Sequence, residues 1–209
     1  MESFNCIQFT PSQSSGGGGL LTIQLECSLD ELYRFPHTPS VVKDTLEKMV
    51  SWHTRNENTI SQAIKSRHRF PQLQAVLLGL GYSVTDNCVQ ILLPNANHRC
   101  AASDVRSTPA DEPIVSAAIG VDIDQSQTIK TARLVFCGAH AQSPYLLKCA
   151  DMLVGQPFAV HTIDLVIEAM TTELSPKADY QGSAEYRLAM AAVTLKRAWT
   201  QCVEEMLND

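Results

Sequence analysis

The chain has 209 residues, 44 % of them apolar and 18 % charged, with a formal net charge of −6. That balance suits one large domain or two small ones with a sizeable core, and excludes a low-complexity or disordered chain. The acidic excess argues against nucleic acid as a partner, since a nucleic-acid binder carries a basic face. A membrane is equally unsupported, because no apolar run approaches the ~20 residues a bilayer span needs. Residues 1–5 lack the basic start and apolar stretch of a signal peptide, so a cytoplasmic protein is expected.

Residues 1–19 are weakly patterned and end in Gly16, Gly17, Gly18 and Gly19, which predicts a flexible lead-in. A phosphate-cradling glycine loop needs a helix directly behind it. Residues 20–26 read as a strand instead. Ser28 and Glu31 form an S-x-x-E capping box that opens a short helix through Phe35, stopped by Pro36 and Pro39. Ser40 is expected to cap a second helix, with Val41, Val42, Leu46, Met49 and Val50 on its apolar face, ending near His53. Residues 54–60 look polar and loop-like. The next helix carries Leu73, Val76, Leu77 and Leu80, and Gly79-Leu80-Gly81 ends it. Residues 82–84 and 88–93 suggest a hairpin across Asp86-Asn87, and residues 99–107 a third strand.

Residues 114–124 and 128–137 then read as two longer strands. Val115, Ala117, Ile119, Val121 and Ile123 alternate on one, and Ile129, Ala132, Leu134 and Phe136 on the other, which predicts an antiparallel sheet with one covered face. Helices are expected from Ser143 or Pro144 to Val154, from Thr162 to Leu174, and from Ser183 to Leu207. The last has a stripe of Leu188, Ala192, Leu195, Trp199, Cys202 and Met206 at helical spacing, read as a core face. The fold class is α+β, with an antiparallel sheet packed against helices in the second half.

Chemistry is harder to find. Cys6, Cys27, Cys88, Cys100, Cys137, Cys149 and Cys202 never stand as C-x-x-C, and the six histidines are scattered, so no metal site is expected. The odd, dispersed cysteines predict a reducing compartment without a disulfide framework. No G-x-S-x-G or H-E-x-x-H motif occurs. Cys137 with His140 lacks a third orienting group. Asp122 and Asp124 fit a solvated turn better than a cation site. Lys65, Arg67, His68 and Arg69 make one basic run, read as a solvated turn or a contact for an anion.

Two stretches speak together. Residues 55–64 read R-N-E-N-T-I-S-Q-A-I. Residues 179–187 read D-Y-Q-G-S-A-E-Y-R, followed by a helix. Both resemble the FAD-binding medium subunits of molybdenum hydroxylases, such as carbon monoxide dehydrogenase and xanthine dehydrogenase. There the first stretch reads R-N-x-A-T-I-G-G-N-I and the second D-x-R-G-S-A-E-Y-R-R. Residues 113–123, Thr131-Ala132-Arg133, Phe136-Cys137-Gly138 and residues 150–157 follow the family's C-terminal domain, and the likeness runs from about Gly16 onward. The resemblance implies a division into a lead-in at 1–19, a remnant of the second flavin-binding lobe at 20–97 and a carbon monoxide dehydrogenase flavoprotein C-terminal-like domain at 98–209.

The departures from that pattern lie where the cofactor would bind. The family's cofactor is FAD, expected to be absent here. Too little sequence precedes Gly16 for the further lobe that wraps the flavin diphosphate. In the surviving motif, Arg55, Asn56, Thr59 and Ile60 are retained as candidate cofactor-binding residues, but Ser61 and Gln62 replace two glycines and Ala63 replaces an asparagine. Glycine is needed where backbone amides must approach a diphosphate closely. The Gln62 side chain is expected to fill that space, and Ala63 lacks the amide to donate. The first reading is a degenerate homologue, with no catalytic residue or metal of its own, acting in assembly with molybdopterin and iron–sulfur subunits. The second is a free-standing or self-associating module. The third is an FAD-binding electron-transfer subunit completed by another chain.

Overall fold

The computed structural model describes residues 5–11, 18–66, 69–85, 87–93, 95, 97–108 and 111–207. The chain forms two four-stranded antiparallel sheets with helices between and around them. The first sheet has the order β1-β2-β4-β3, from β1 (Ile7–Pro11), β2 (Gly19–Gln24), β3 (Ser83–Val84) and β4 (Cys88–Leu92). Between β2 and β3 run α1 (Leu29–Arg34), α2 (Ser40–Met49), α3 (Trp52–Glu57), α4 (Ile60–Lys65) and α5 (Pro71–Gly79). The second sheet is a meander of β5 (His98–Val105), β6 (Val115–Ile123), β7 (Ile129–Cys137) and β8 (Tyr145–Leu146). Two 3-10 turns (Cys149–Leu153 and Val160–Ile163), α6 (Asp164–Glu173) and α7 (Ala184–Leu207) complete it. No described helix is long and apolar enough to cross a membrane.

Local signals place much of this. The Ser28–Glu31 capping box forms, with both reciprocal bonds made. The α5 helix starts with Pro71 in its first turn and ends ahead of Gly81, whose φ of +69° suits glycine. Gly18, at φ +82°, leads directly into β2, so the described part of the glycine run is a strand lead-in; Gly16 and Gly17 lie outside the described residues. The Asp86 half of the expected hairpin turn is also outside them.

Four expectations are corrected. Residues 7–11, which show no strand pattern of their own, form β1 because β2 offers them a partner, Ile7 opposite Ile23 and Pro11 opposite Gly19. Ser40 is the first residue of α2 rather than its cap, Pro39 standing at the cap position. The expected long helix to His53 stops at Met49, and Ser51 caps a separate α3 by accepting from the Thr54 amide, so residues 54–57 are helical rather than loop. No α-helix runs from 143 to 154; residues 145–146 pair with β7 and residues 149–153 make a 3-10 turn. Glu173 holds that turn from outside, accepting from the Lys148 and Cys149 amides at 2.7 and 3.0 Å.

The second sheet was expected to have one covered face and has two. Val115, Ala117, Ile119 and Val121 of β6 and Leu134 and Phe136 of β7 join Leu195, Trp199 and Cys202 of α7 in one core. On the opposite face, Ala118, Val135 and Cys137 join Leu73, Val76 and Leu77 of α5 in a second core, continuous with the first sheet and α1, α2 and α4. The reason is residue size: small side chains on this face let α5 lie close. At the crossing the contact is backbone to backbone. A Cβ on Gly120 would stand 1.7 Å from the Gly79 carbonyl oxygen. Gly120→Ala therefore forces α5 off the sheet and is expected to cost about 1–3 kcal/mol, or more if α5 cannot shift. Urea unfolding checks this; a change within about 0.5 kcal/mol would mean the two layers are loosely packed.

Candidate functional site

The six candidate residues Arg55, Asn56, Thr59, Ile60, Ser61 and Gln62 fall on α3, α4 and the two-residue link between them. They do not converge on an opening. Arg55 turns inward: its Nε donates to the buried Asp30 at 3.3 Å, its Nη1 to the Val50 carbonyl at 3.2 Å, and its guanidinium lies 4.3 Å from the Tyr33 ring centroid. Asp30 also receives Arg34 Nε at 2.7 Å. Arg55 is thus a strut fastening α3 to α1, with its buried charge paired. The Asn56 side chain donates back to the Trp52 carbonyl at 2.9 Å, on the exposed face of α3.

Thr59 and Gln62 form a second capping box. The Thr59 hydroxyl accepts the Gln62 amide at 3.4 Å, and the Gln62 carboxamide oxygen accepts the Thr59 amide at 2.9 Å. The signal, T-x-x-Q ahead of an apolar run, is present in the sequence within a polar stretch that reads as loop. The Gln62 side chain curls back onto its own helix start and stays exposed. Ile60 and Ser61 are tied on the other side: their amides donate at 2.9 Å to the carbonyls of Cys27 and Leu25. The Ala63 amide donates to the Thr59 carbonyl at 3.0 Å. Every backbone donor from Thr59 to Ala63 is therefore used within the protein. Ile60 and Ala63 are wholly buried in the core beneath the first sheet, and Ser61 is buried beside them.

An anion site at a helix start works through free amides aimed at the ligand. Here those amides are saturated, and forming such a site would require breaking the β2–α1 contacts that hold α4. None of the amides from Thr59 to Ala63 is left to donate to an anion. Of the neighbouring basic run, Lys65 ends α4 and Arg69 lies 5.5 Å from the Phe70 ring centroid; Arg67 and His68 are outside the described residues.

The second motif stretch is structural. Arg187, at the start of α7, is 4 % exposed. Its Nη2 grips both carboxylate oxygens of Asp179 at 2.6 Å, and its Nη1 donates to the carbonyls of Ile114 at 2.6 Å and Gly138 at 2.9 Å. Those carbonyls flank the start of β6 and the end of β7, so one guanidinium locks two strands, the 179–182 turn and α7 together. The Arg187 hydrogen bonds, against a small opposing burial effect, hold the Asp179 carboxyl below its usual range. Gly138, at φ +77°, admits this arrangement because a Cβ there would stand 2.2 Å from the Ile114 oxygen. The Ser183 hydroxyl accepts the Tyr186 amide at 3.1 Å, the N-cap role that its place before a helix implies.

The remaining candidates are not brought together. Cys137 donates its thiol to the Pro71 carbonyl at 3.2 Å and burial pushes it up to about 11, whereas His140 stacks on Tyr145 at 3.8 Å. A buried thiol of that kind is no nucleophile. Asp122 accepts from His98 Nδ1 at 2.5 Å and is bonded by Thr131 and Arg133. Burial alone would raise its carboxyl; the His98 and Thr131 hydrogen bonds and the charges of His98 and Arg133 outweigh that and bring it down to about 2. Asp124 is held by Ser126, Thr128 and Lys130. The His98–Asp122 pair, 24 residues apart, joins β5 to β6 and is invisible to local pattern.

Comparisons with known proteins bear on what this scaffold is. The sequence profile of the CO dehydrogenase flavoprotein C-terminal domain matches residues 102–202. No curated protein matches the sequence. Among solved structures, a chain of reconstituted CO dehydrogenase from Oligotropha carboxidovorans superposes with a TM-score of 0.74 at 16 % identity, covering 94 % of this chain and 78 % of that one. Quinoline 2-oxidoreductase from Pseudomonas putida 86 gives 0.68 at 19 % identity, covering 94 % of this chain and 78 % of the other. A CO dehydrogenase from Hydrogenophaga pseudoflava that lacks the Mo-pyranopterin moiety gives 0.70 at 15 %, covering 92 % and 78 %. At these identities the structural likeness establishes the fold, and the profile match speaks for the second half. Residues 102–202 thus belong to the CO dehydrogenase flavoprotein C-terminal domain family, and the chain as a whole shares the fold of these CO dehydrogenase and quinoline 2-oxidoreductase chains.

Proposed function

We propose that this chain is a degenerate counterpart of the FAD-binding subunit of a molybdenum hydroxylase, unable to hold FAD by itself and acting in assembly or interaction. It has no catalytic residue of its own in this reading. The lobe at 20–97 keeps the second flavin-binding lobe's shape, and the domain at 98–209 supplies a rigid docking body for molybdopterin and iron–sulfur subunits in the cytoplasm. One observation carries the proposal: all five amides from Thr59 to Ala63 are satisfied internally, so no donor is left to cradle a diphosphate.

Restoring glycine is expected to leave this unchanged. Ser61→Gly with Gln62→Gly removes the capping box and frees the Thr59 amide, but the Ile60 and Ser61 amides stay committed to Cys27 and Leu25. The double variant should lose about 1–2 kcal/mol from the lost cap and the helix glycines and show no flavin binding on titration with FAD. Tight binding by the variant would contradict the saturated-amide argument. Affinity purification from the native host tests the partner half of the proposal. Recovery with large and iron–sulfur subunits supports assembly; recovery as a homo-oligomer alone supports a self-associating module and overturns it.

A further inference from the structure

Cys6 and Cys27 are 21 positions apart and belong to no motif. Folding brings them together with Glu31, and the three ligand atoms (two Sγ and a carboxylate oxygen) all lie within 4.8 Å of one another. Each is held by backbone structure. Cys6 directly precedes β1, and its carbonyl accepts the Gln24 amide at 2.8 Å. Cys27 lies in the turn after β2, its amide donating to the Gln24 carbonyl at 3.0 Å. Glu31 is fixed by the capping box, with one oxygen occupied by the Ser28 amide at 2.9 Å and hydroxyl at 2.8 Å. The other oxygen is left for the thiols.

We propose that Cys6, Cys27 and Glu31 bind a thiophilic divalent cation of the zinc class, fastening β1 to the start of α1. Zinc sits about 2.3 Å from thiolate sulfur and about 2.0–2.2 Å from a carboxylate oxygen, so its ligand atoms stand under about 4 Å apart and the observed cluster needs only a small contraction. Two sulfurs select zinc over magnesium or calcium, which take oxygen. Three protein ligands leave a fourth position for water, and Cys6 borders a surface cavity, also lined by Gln8, Thr22, Gln24 and Cys88, that supplies an entry path. The electrostatics agree with the geometry. Burial is the first cause that raises both thiols above the usual range; the Cys6 thiol and then Glu31 add to it at Cys27, and the Glu31 charge adds to it at Cys6. A bound dication relieves that crowding and displaces both protons into solvent. The sheet edge gains most, because β1 pairs only with β2 among the described strands.

Cobalt(II) reports thiolate ligation by a sulfur-to-metal charge-transfer band in the near ultraviolet. Titration of the reduced full-length protein with cobalt chloride should give this band at one equivalent, and zinc should bleach it. Cys6→Ser and Cys27→Ser should each abolish it, Glu31→Gln should weaken cobalt at least tenfold, and Cys88→Ser should leave it intact. Alkylation of the unmutated protein read by mass spectrometry guards against misfolded variants: zinc should protect Cys6 and Cys27 selectively. Absence of a charge-transfer band, equal alkylation with and without zinc, or a Cys6–Cys27 disulfide that forms in preference to metal binding would each overturn the proposal.

Discussion

Replacing Arg187 by alanine is expected to destabilise the protein by about 2–4 kcal/mol, the cost of losing a charged hydrogen-bonded pair and leaving two strand-end carbonyls without their donor. The guanidinium is almost wholly buried and makes four hydrogen bonds of 2.6–2.9 Å, two to Asp179 and one each to the carbonyls of Ile114 and Gly138. Its removal leaves two strand-end carbonyls without their donor and opens a gap at the junction of β6, β7 and α7. Arg187→Lys should recover only a minor part, because an ammonium cannot present a planar fork to a carboxylate while also reaching two carbonyls. Asp179→Asn should cost less than Arg187→Ala, since Asp179 is partly solvated and both strand-end carbonyls keep their donor. Guanidinium unfolding of the three variants gives this order. An Arg187→Ala loss below about 1 kcal/mol would show that the motif serves something other than the fold.

Trp199→Ala should cost a similar amount, about 3–5 kcal/mol, for a different reason. Trp199 is completely buried in the α7 core, edge-on to Phe158 at a centroid distance of 5.0 Å, and its Nε1 donates to the Ala159 carbonyl at 2.9 Å. The alanine variant loses apolar burial and leaves a cavity between α7 and the sheet. Trp199→Phe should retain much of the packing but strand the Ala159 carbonyl, giving an intermediate loss of about 1–3 kcal/mol. The thermal midpoint should fall in the order unmutated, Phe, Ala. A near-unchanged midpoint for Trp199→Ala would place this helix face against a partner rather than in the core.

How far the sequence showed this structure depends on where each signal lies. The α7 stripe, the β6 and β7 alternation and the Ser28–Glu31 box are legible because each is a periodicity or spacing within one element. Residues 7–11 and 145–146 become strands only by pairing with β2 and β7, so nothing local marks them. The break between α2 and α3 turns on Ser51 acting as a cap, which a continuous apolar face conceals. At the candidate site, the motif comparison located the departures at Ser61, Gln62 and Ala63, but not their structural consequence. Gln62 completes a cap at the start of α4. The amides of Ile60 and Ser61 are consumed by Cys27 and Leu25, more than thirty positions upstream, a non-local pairing that no spacing reveals. The Cys6–Cys27–Glu31 cluster is equally non-local, its two sulfurs 21 positions apart, whereas metal signatures in sequence depend on ligands a few residues apart.

These observations converge on a scaffold whose motif residues have become structural. Arg55 braces α3 on α1, Thr59 and Gln62 cap α4, and Arg187 ties the second sheet to α7. The proposed loss of flavin binding rests on the saturated amides from Thr59 to Ala63. The absorbance spectrum of the protein purified in the presence of excess FAD and then desalted tests that directly. The account predicts a colourless protein with no flavin bands between the near ultraviolet and the blue. A yellow protein retaining one FAD per chain after desalting would contradict it.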